Sequence, residues 1–334
     1  MAATSTRTAL QSQYRPPKSG ILSFIPTSWV PYAELARIDK PVACLYLYFP
    51  CLYGTSLAAS MSQPTIPLDR LSRVNLIFLL GSFMVRCAGC SWNDIVDQKF
   101  DRKVSRTRLR PMARRAISTS NALIFTVIQV LIGLVLVFLL LPKPCLIYST
   151  PSILLTGLYP YGKRFTHYPQ LILGFVFSWG VIMAFPAFDI DLLSFPEAMT
   201  AAVYLYASCV AWTMCYDTIY AAQDVKDDAK ANIKSPVVLH QGHTRKLLVA
   251  AAIVQTVLLG CVGAAIEATA IYFVTACVGN ALVLGTMVSR VDLDEPKSCL
   301  WWFKNGSFYT GAMIGTGFMA EYTLRAVHSR LMVP

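Results

Sequence analysis

Charged residues are scarce in this sequence. Only 14% of its 334 residues are Asp, Glu, Lys or Arg, whereas 55% are hydrophobic. Soluble domains carry roughly a quarter charged residues, so this composition argues against a soluble protein. The net charge of +11 does not indicate a nucleic-acid partner, because a nucleic-acid-binding surface needs many more polar residues. We therefore expect a membrane-embedded chain with basic loops and no nucleic-acid partner.

Metal-binding and redox residues are also sparse or scattered. The chain has 4 His, and its 10 Cys are spread along apolar segments. Cys87 and Cys90 in "CAGC" have redox spacing, but no thioredoxin-type strand and helix surround them. No second Cys/His pair completes a zinc set. These patterns disfavour zinc and thiol chemistry, and we interpret the two cysteines as ordinary packing residues within a span.

Long apolar segments are present instead, and they recur along the whole chain. Each is close to the ~20 residues that cross a bilayer, and the backbone in lipid must satisfy its own hydrogen bonds, which predicts helices. The sequence thus predicts an all-α membrane protein, a bundle of about nine transmembrane helices. The predicted spans are residues 41–60, 74–92, 121–141, 144–160, 168–188, 197–216, 247–266, 268–289 and 306–326.

The basic residues orient this bundle. Most Lys and Arg fall in the N-terminal segment and in the loops after the second, fourth, sixth and eighth spans. The positive-inside rule places that side in the cytosol. Arg86 is an exception because it lies inside the second span, where a charge is costly and therefore functional or paired.

Two acidic stretches lie on the same basic side. Because helical neighbours recur every three or four residues, each stretch presents one acidic face. If the second helix continues, the face of "NDIVDQKFD" carries Asn93, Asp94, Asp97 and Asp101. The face of "YDTIYAAQDVKDD" carries Asp217, Tyr220, Asp224 and Asp228.

Carboxylates without His or Cys partners favour a hard cation, and we predict Mg²⁺. The predicted ligands are Asn93, Asp94, Asp97, Asp101, Asp224 and Asp228. Magnesium held by few carboxylates keeps positions for phosphate oxygens, and nearby Arg and Lys suit a diphosphate. The basic residues predicted to bind it are Lys99, Arg102, Lys103, Arg106, Arg110, Lys226 and Lys234. Acids, bases and an apolar bundle together indicate an isoprenoid diphosphate site.

These stretches resemble the UbiA-type membrane prenyltransferases, which transfer an allylic prenyl group from its diphosphate to an acceptor. The first stretch is similar to their N-D-x-x-D-x-x-x-D motif, and the second to their other Asp-rich motif. "YPYGKRFTHYPQLILG" and "ARIDKPVACLYLYFP" resemble two further segments. The resemblance covers roughly residues 30–325 and implies a helical bundle with a central prenyl diphosphate cavity. It adds Lys163 and Arg164 as diphosphate-binding residues.

Within that family the chain looks closest to enzymes that prenylate phenolic acids. We interpret Asp217 and Arg86 as catalytic, with Asp217 either orienting or deprotonating the phenol or binding metal. The predicted acceptor or pocket residues are Arg37, Tyr159 and Tyr220. Asn232, where those enzymes usually have Gly, resembles fungal meroterpenoid enzymes that attach a farnesyl-type chain to a polyketide-derived acid.

Three alternatives remain open. The first is a 4-hydroxybenzoate polyprenyltransferase of ubiquinone biosynthesis, which rescue of a mutant lacking that step would reveal. The second is a membrane transporter, although its acids are expected at mid-depth and its sequence with internal repeats. The third is a lipid phosphotransferase acting on a CDP-alcohol, whose D-G-x-x-A-R signature is absent.

The N-terminal segment bears on domain organisation and location. Residues 1–33 lack acids and contain prolines, so we predict a basic, disordered tail followed by a single transmembrane domain over residues 34–330. No cleavable secretory signal is evident. We favour an endomembrane location over the mitochondrial inner membrane, with substrates and the bilayer as partners and no obligate protein partner.

Overall fold

The computed structural model describes residues 14–230 and 233–332, and all regular structure in those ranges is helical. The long helices are α1 (Val42–Met61), α2 (Leu68–Asp101), α3 (Thr119–Leu140), α4 (Pro144–Leu158), α5 (Pro169–Ala184), α6 (Pro196–Ala222), α7 (Thr244–Ala265), α8 (Ala270–Arg290) and α9 (Ser307–Met332). Short helices connect them at Val30–Leu35, Gly162–Phe165, Val225–Lys230, Pro236–Leu239 and Pro296–Trp301.

The predicted all-helical membrane fold is confirmed. Each predicted span coincides with one of α1 to α9. Among the described residues, 7 helices are long and apolar enough to cross a membrane. The other two are α4, which has only 15 residues with Pro151 inside it, and α9, whose second half contains polar residues. Nine is therefore an approximate count of spans.

Close helix packing depends on small residues where α1 crosses α5. A Cβ atom on Gly54 would lie 2.8 Å from the Val181 Cα, and one on Gly180 would lie 2.9 Å from the Cys51 backbone nitrogen. Small residues let helices approach closely in a membrane, where interhelical contact replaces contact with lipid. This crossing holds α1 against the inner helices of the bundle.

Helix α6 runs through the centre of the bundle. Its Trp212 is fully buried and contacts Tyr46 and Phe49 of α1 edge-on, at ring-centroid distances of 6.1 and 6.0 Å. The Trp212 indole N–H donates to the Thr310 hydroxyl of α9 at 2.9 Å, so its one polar group is satisfied. Helix α6, which carries Asp217, therefore packs against both α1 and α9.

The structure describes only part of the N-terminal segment that the sequence predicts to be disordered. Residues 1–13 lie outside the described residues. From Tyr14 onward the segment includes the short helices Ile21–Phe24 and Val30–Leu35, and the Tyr14 hydroxyl donates to Glu34 at 2.6 Å. The disordered tail and the single transmembrane domain over residues 34–330 stay predictions.

Candidate active site

A cavity of about 390 Å³ lies where the acidic ends of α2 and α6 meet, and we call it the catalytic cavity. Its size is within the range of small-molecule sites. Its walls include most of the residues predicted from the sequence. These are Arg37, Arg86, Asn93, Asp94, Asp97, Asp101, Arg106, Arg110, Tyr159, Lys163, Asp217, Tyr220, Asp224, Asp228 and Lys234.

The first acidic stretch forms one face because α2 continues as a helix through Asp101. Asp94 is fully buried, and both of its carboxylate oxygens accept from the Arg37 guanidinium, at 2.7 and 2.8 Å. Arg110 donates to Asp94 at 3.2 Å and to Asp101 at 3.1 and 3.2 Å. A buried carboxylate needs such partners, so these two arginines hold the acidic face in place.

Arg37 itself is held in an unusual backbone conformation. Its φ is 57°, in the left-handed region that a residue with a side chain seldom adopts. Its guanidinium also donates to the Glu34 carbonyl at 2.7 Å. The Glu34 carboxylate in turn accepts from Arg114 at 2.6 Å and from Tyr14. The N-terminal segment therefore positions Arg37 over Asp94.

The second acidic stretch is joined to the loop that follows α2. Helix α6 ends at Ala222, but Asp217, Tyr220, Asp224 and Asp228 still line one cavity. The Arg106 Nε donates to both Asp224 oxygens at 2.9 and 3.1 Å, and its Nη1 donates to the Tyr220 hydroxyl at 2.7 Å. The Ser105 backbone N–H also donates to Asp227 at 2.8 Å. These contacts bring the two acidic faces to opposite sides of the same space.

Three residues that line the catalytic cavity carry buried polar atoms without partners. Within the described residues, the Arg86 Nε, Asn93 Oδ1 and Gln170 Oε1 are buried and lack a hydrogen-bond partner. Among the described residues Arg86 makes one hydrogen bond, from its Nη2 to the Lys40 carbonyl at 3.2 Å. Buried polar groups are normally paired, so these three atoms are suited to polar groups of a bound substrate or ion.

Burial and charge shift the pKa values at the cytosolic edge of the cavity. Burial lowers the pKa of Arg110, but the Asp94 and Asp101 carboxylates outweigh that effect and raise it overall. Burial raises the pKa of Asp228 to about 6, although Lys163 opposes the shift. Arg110 is thus a permanent cation, whereas Asp228 changes its charge near neutral pH.

The acidic faces suit a metal that also binds phosphate. Within the described part of the chain, no group of three His, Cys, Asp or Glu side chains could hold a metal ion alone. Mg²⁺ commonly uses one or two carboxylates together with water and phosphate oxygens, and the unpartnered Asn93 Oδ1 adds an oxygen donor. The carboxylates of each face fit an ion whose remaining ligands come from a diphosphate.

Several predicted diphosphate-binding residues do not line the cavity: Lys99, Arg102, Lys103, Arg164 and Lys226. Lys99, Lys103 and Lys226 are exposed. The Arg102 Nε donates to the Ala113 carbonyl at 2.9 Å, and the Arg164 Nη2 to the Val96 carbonyl at 3.2 Å. The geometry gives no support to a diphosphate role for these five residues, which stays a prediction.

Other lining residues were not predicted from the sequence. Lys304 and Phe303 come from the segment before α9, and Gln170 from the first turn of α5. The Tyr46 hydroxyl donates to the Phe303 carbonyl at 2.6 Å, and the Phe303 ring lies 4.5 Å from that of Tyr220. The sequence gave no signal for Lys304, Phe303 or Gln170, since an isolated Lys, Phe or Gln has no spacing pattern.

Comparisons with known proteins identify a family and individual relatives to which this chain is similar. A sequence profile of the UbiA prenyltransferase family matches residues 47–311. The 4-hydroxybenzoate polyprenyltransferase, mitochondrial, of Saccharomyces cerevisiae is 36% identical over 307 residues, which are 91% of this chain and 79% of the yeast protein. The polyprenyl transferase ausN of Penicillium brasilianum is 38% identical over 237 residues, 71% of this chain and 73% of that protein.

Solved structures share the fold at lower identity. The apo structure of a UbiA homolog from Aeropyrum pernix K1 has a TM-score of 0.68 and 22% identity, covering 85% of this chain and 98% of that one. A UbiA homolog from Archaeoglobus fulgidus bound to GPP and Mg²⁺ has a TM-score of 0.60 and 19% identity, covering 87% and 99%. At these identities the likeness establishes the helical architecture alone.

Proposed function

This chain belongs to the UbiA prenyltransferase family, and we propose that it attaches a farnesyl-type group to an aromatic carbon of a phenolic acid. It is a transferase of prenyl groups and a multi-pass membrane protein. The observation that carries the proposal is the convergence of two acidic faces and several cations on one cavity. A diphosphate brings the negative charge that such cations bind, and its hydrocarbon suits an apolar bundle.

The diphosphate is bound between the two acidic faces. We assign Mg²⁺ binding to Asn93, Asp94 and Asp97 on one face and to Asp224 and Asp228 on the other. When bound, the ion neutralises charge on the leaving diphosphate. Arg106, Arg110 and Lys163 line the same space and supply fixed positive charge. Preorganised charge of this kind lowers the barrier because it is already oriented where negative charge develops.

The chain's own residues then direct the transfer. The donor C–O bond breaks and the diphosphate leaves with both bonding electrons. The ring carbon ortho to the phenol forms the new C–C bond with the allylic cation, and the departed diphosphate takes up the proton from that carbon, which restores aromaticity. Asp217 lines the cavity and accepts the phenol proton or orients the hydroxyl. Water is excluded by the surrounding apolar helices, which protects the cation from hydrolysis.

The position of Arg86 favours a phenolic acid as the acceptor. Its buried Nε has no hydrogen-bond partner among the described residues, and Arg86 lines the cavity from within α2. A carboxylate on the phenolic ring would pair with this cation and satisfy it. An acceptor without a carboxylate would leave the Arg86 guanidinium without an anionic partner, so we expect phenolic acids to be used and the corresponding simple phenols to be poor acceptors.

The identity of the acceptor separates two proposals. The yeast relative's name gives 4-hydroxybenzoate as its acceptor, whereas the Penicillium relative's name, polyprenyl transferase, gives none. We place the polyketide-derived phenolic acid first and 4-hydroxybenzoate second. Purified protein in nanodiscs would be offered geranyl, farnesyl and long polyprenyl diphosphates with 4-hydroxybenzoate or orsellinate-type acids, with Mg²⁺ or EDTA. We expect a farnesyl adduct of the polyketide acids by mass spectrometry only with Mg²⁺.

Other results of that assay contradict the proposal in different ways. Long-chain transfer restricted to 4-hydroxybenzoate, together with rescue of a yeast mutant lacking this step, would assign the chain to quinone biosynthesis. Transfer that persists in EDTA would remove the Mg²⁺ assignment. Absence of transfer with every pair would overturn the acceptor class.

The membrane compartment has two candidates. The endomembrane location predicted from the sequence is opposed by relatives from yeast, Schizosaccharomyces pombe and Caenorhabditis elegans, whose names include "mitochondrial". Imaging of the full chain with a C-terminal fluorescent tag beside markers of both membranes decides between them. Mitochondrial fluorescence would reject the endomembrane prediction.

A further inference from the structure

The N-terminal segment is joined by an ion pair to the loop between α2 and α3, residues 102–118. The Glu34 carboxylate accepts from the Arg114 Nη2 at 2.6 Å and from the Tyr14 hydroxyl, also at 2.6 Å. The Arg114 guanidinium carbon lies 3.7 Å from the centre of the Tyr14 ring, within the range of a cation–π contact. Burial and the bond to Glu34 raise the pKa of Tyr14 to about 12, so its hydroxyl keeps its proton and donates. We call these three residues the N-terminal clamp.

On the N-terminal side, the clamp reaches the first acidic face through Arg37. The Glu34 carbonyl accepts from the Arg37 backbone N–H at 3.1 Å and from its Nη1 at 2.7 Å. The Nη2 of the same guanidinium donates to both Asp94 oxygens. Whatever fixes Glu34 therefore also fixes the point from which Arg37 reaches Asp94.

On the loop side, the clamp reaches the same carboxylate through Arg110. The Arg114 backbone N–H donates to the Arg110 carbonyl at 2.9 Å, so a single turn of chain separates the two arginines. Arg110 in turn is paired with Asp94 and Asp101. The cations that contact Asp94 thus come from two distant parts of the chain, and the Glu34–Arg114 pair ties those parts together.

Burial makes this ion pair effective. The side chain of Arg114 is 3% exposed and that of Glu34 is 15% exposed, so salt and water screen their attraction only weakly. Removing one partner would leave a poorly solvated charge, which is costly. Leu35, Ile95 and Met112 form a buried apolar cluster in the same region. We therefore expect loss of the pair to displace side chains rather than to unfold the segment.

We propose that Glu34 and Arg114 are positioning residues that set the affinity of the catalytic cavity for the donor's diphosphate and its Mg²⁺. Neither residue lines the cavity, whereas Arg37 and Arg110 do, so the pair acts through these two cations. The inference rests on the proposed prenyl transfer for the identity of the ligand. It extends the determinants of donor affinity to an ion pair outside the cavity.

Donor binding measures this effect separately from turnover. The dissociation constant of farnesyl thiolodiphosphate, an analogue that does not transfer its prenyl group readily, would be measured with Mg²⁺ on the full chain in nanodiscs. For Glu34→Gln we expect this constant and the Mg²⁺ concentration for half-maximal binding each to rise roughly tenfold, an effect typical of residues that orient metal ligands. Unchanged values would overturn the inference.

Steady-state kinetics separate positioning from a merely structural role. In Glu34→Gln the donor KM should rise, whereas the acceptor KM should change less than about threefold, because the affected groups hold the diphosphate. Loss of folded enzyme would instead lower the apparent kcat and leave both KM values as in wild type. That second pattern would overturn the inference.

The control is Glu321→Gln on α9. Glu321 is fully buried and is paired with Arg325 at 2.6 Å, the same distance as in the clamp, but it does not line the catalytic cavity. Its substitution removes a comparable ion pair elsewhere in the bundle. The dissociation constant of farnesyl thiolodiphosphate should stay within about twofold of wild type, as expected for a distant, independent site. Equal weakening in the Glu34 and Glu321 variants would contradict a specific role of the clamp.

Two variants of Arg114 test whether the two residues act as a pair. Combining Arg114→Met with Glu34→Gln should weaken binding by less than about twofold beyond the larger single effect, because the second change removes a partner already lost. Arg114→Lys keeps the positive charge and should lose less affinity than Arg114→Met. Single effects that multiply in the double variant, or equal losses in the Lys and Met variants, would overturn the inference.

The result is separable from the proposed function. If Glu34→Gln weakens donor binding but wild-type protein transfers no prenyl group to phenolic acids, the acceptor proposal fails and the positioning role stands. If wild-type protein transfers the group but Glu34→Gln binds the donor analogue as wild type does, the positioning role fails and the proposed function stands.

Discussion

Asp217 lines the catalytic cavity without an ion pair to any described residue, whereas Asp94, Asp97, Asp101 and Asp224 each have a cationic partner. A carboxylate that is already paired with an Arg or Lys side chain either positions that side chain or binds metal. An unpaired one in the same space remains free for a substrate hydroxyl. Asp228 also has no ion pair to a described residue, but it lies beyond the end of α6 in the short helix Val225–Lys230, whereas Asp217 lies within α6. We therefore place Asp217 nearer to the acceptor and Asp228 nearer to the diphosphate.

The Asp217→Asn variant tests that assignment. An amide cannot accept the phenol proton, so kcat should fall about 100-fold, within the range for a lost general base. The donor KM and the Mg²⁺ concentration for half-maximal rate should change less than about threefold. Steady-state kinetics at several Mg²⁺ concentrations measure both, and a large rise in the Mg²⁺ requirement would show instead that Asp217 binds metal.

Asp228 should make the reaction sensitive to acid. Its pKa is raised to about 6, mainly by burial, so it takes up a proton at a higher pH than an ordinary aspartate and can no longer bind a cation. We expect kcat/KM for the donor to fall as the pH drops through about 6. Because Mg²⁺ favours the ionised form of Asp228, raising the Mg²⁺ concentration should move this fall in kcat/KM to lower pH. A fall that stays at the same pH at every Mg²⁺ concentration would contradict the metal role of Asp228.

The residues of the site differ in how well the sequence alone predicts their positions. The acidic residues were predictable because helical spacing places the members of each stretch on one face. The basic residues were less predictable, since Lys99 lies in the last turn of α2 and Arg102 follows directly, yet neither lines the cavity. Lys304 enters from a segment about 200 residues away, which no local pattern predicts.

At the level of helices, the sequence predicted the number and approximate position of the apolar segments. It did not predict that α8 contains a π-helical segment at Phe273–Gly279, because such insertions depend on the packing of neighbouring helices. The extension of α2 to Asp101 was predicted only conditionally. That extension matters most for the site, since it carries the first acidic face beyond the apolar span.

Glycine at the crossing of α1 and α5 should be necessary for stability. In Gly54→Ala the new Cβ would lie 2.8 Å from the Val181 Cα and 2.9 Å from the Ala184 Cβ, so the helices must separate. Overpacking of this kind costs about 1–3 kcal/mol. Thermal unfolding followed by size-exclusion chromatography should show a lower apparent Tm than wild type.

The control for this prediction is Gly260→Ala on α7. There the new methyl group meets open space, and Ala favours a helix over Gly by about 1 kcal/mol. Its apparent Tm should equal or exceed that of wild type. Equal stability of the Gly54 and Gly260 variants would contradict the close crossing.

For the whole molecule, the charge asymmetry predicts the orientation of the site. The acidic faces and most of the basic residues are expected in the cytosol. Lys103 and Lys143 are both exposed and lie on opposite predicted sides. In sealed, oriented vesicles, a membrane-impermeant maleimide should label Lys103→Cys from the cytosolic side and Lys143→Cys only from the other side. The reverse pattern would invert the topology.

If both acidic faces hold one donor diphosphate through Mg²⁺, donor binding must depend on the metal and on both faces. The dissociation constant of farnesyl thiolodiphosphate would be measured for wild type, Asp94→Asn and Asp224→Asn, with Mg²⁺ and with EDTA. We predict that EDTA weakens wild-type binding and that each variant loses roughly tenfold or more in affinity with Mg²⁺. Binding that is unchanged by EDTA, or that survives in either variant, would contradict the shared metal site.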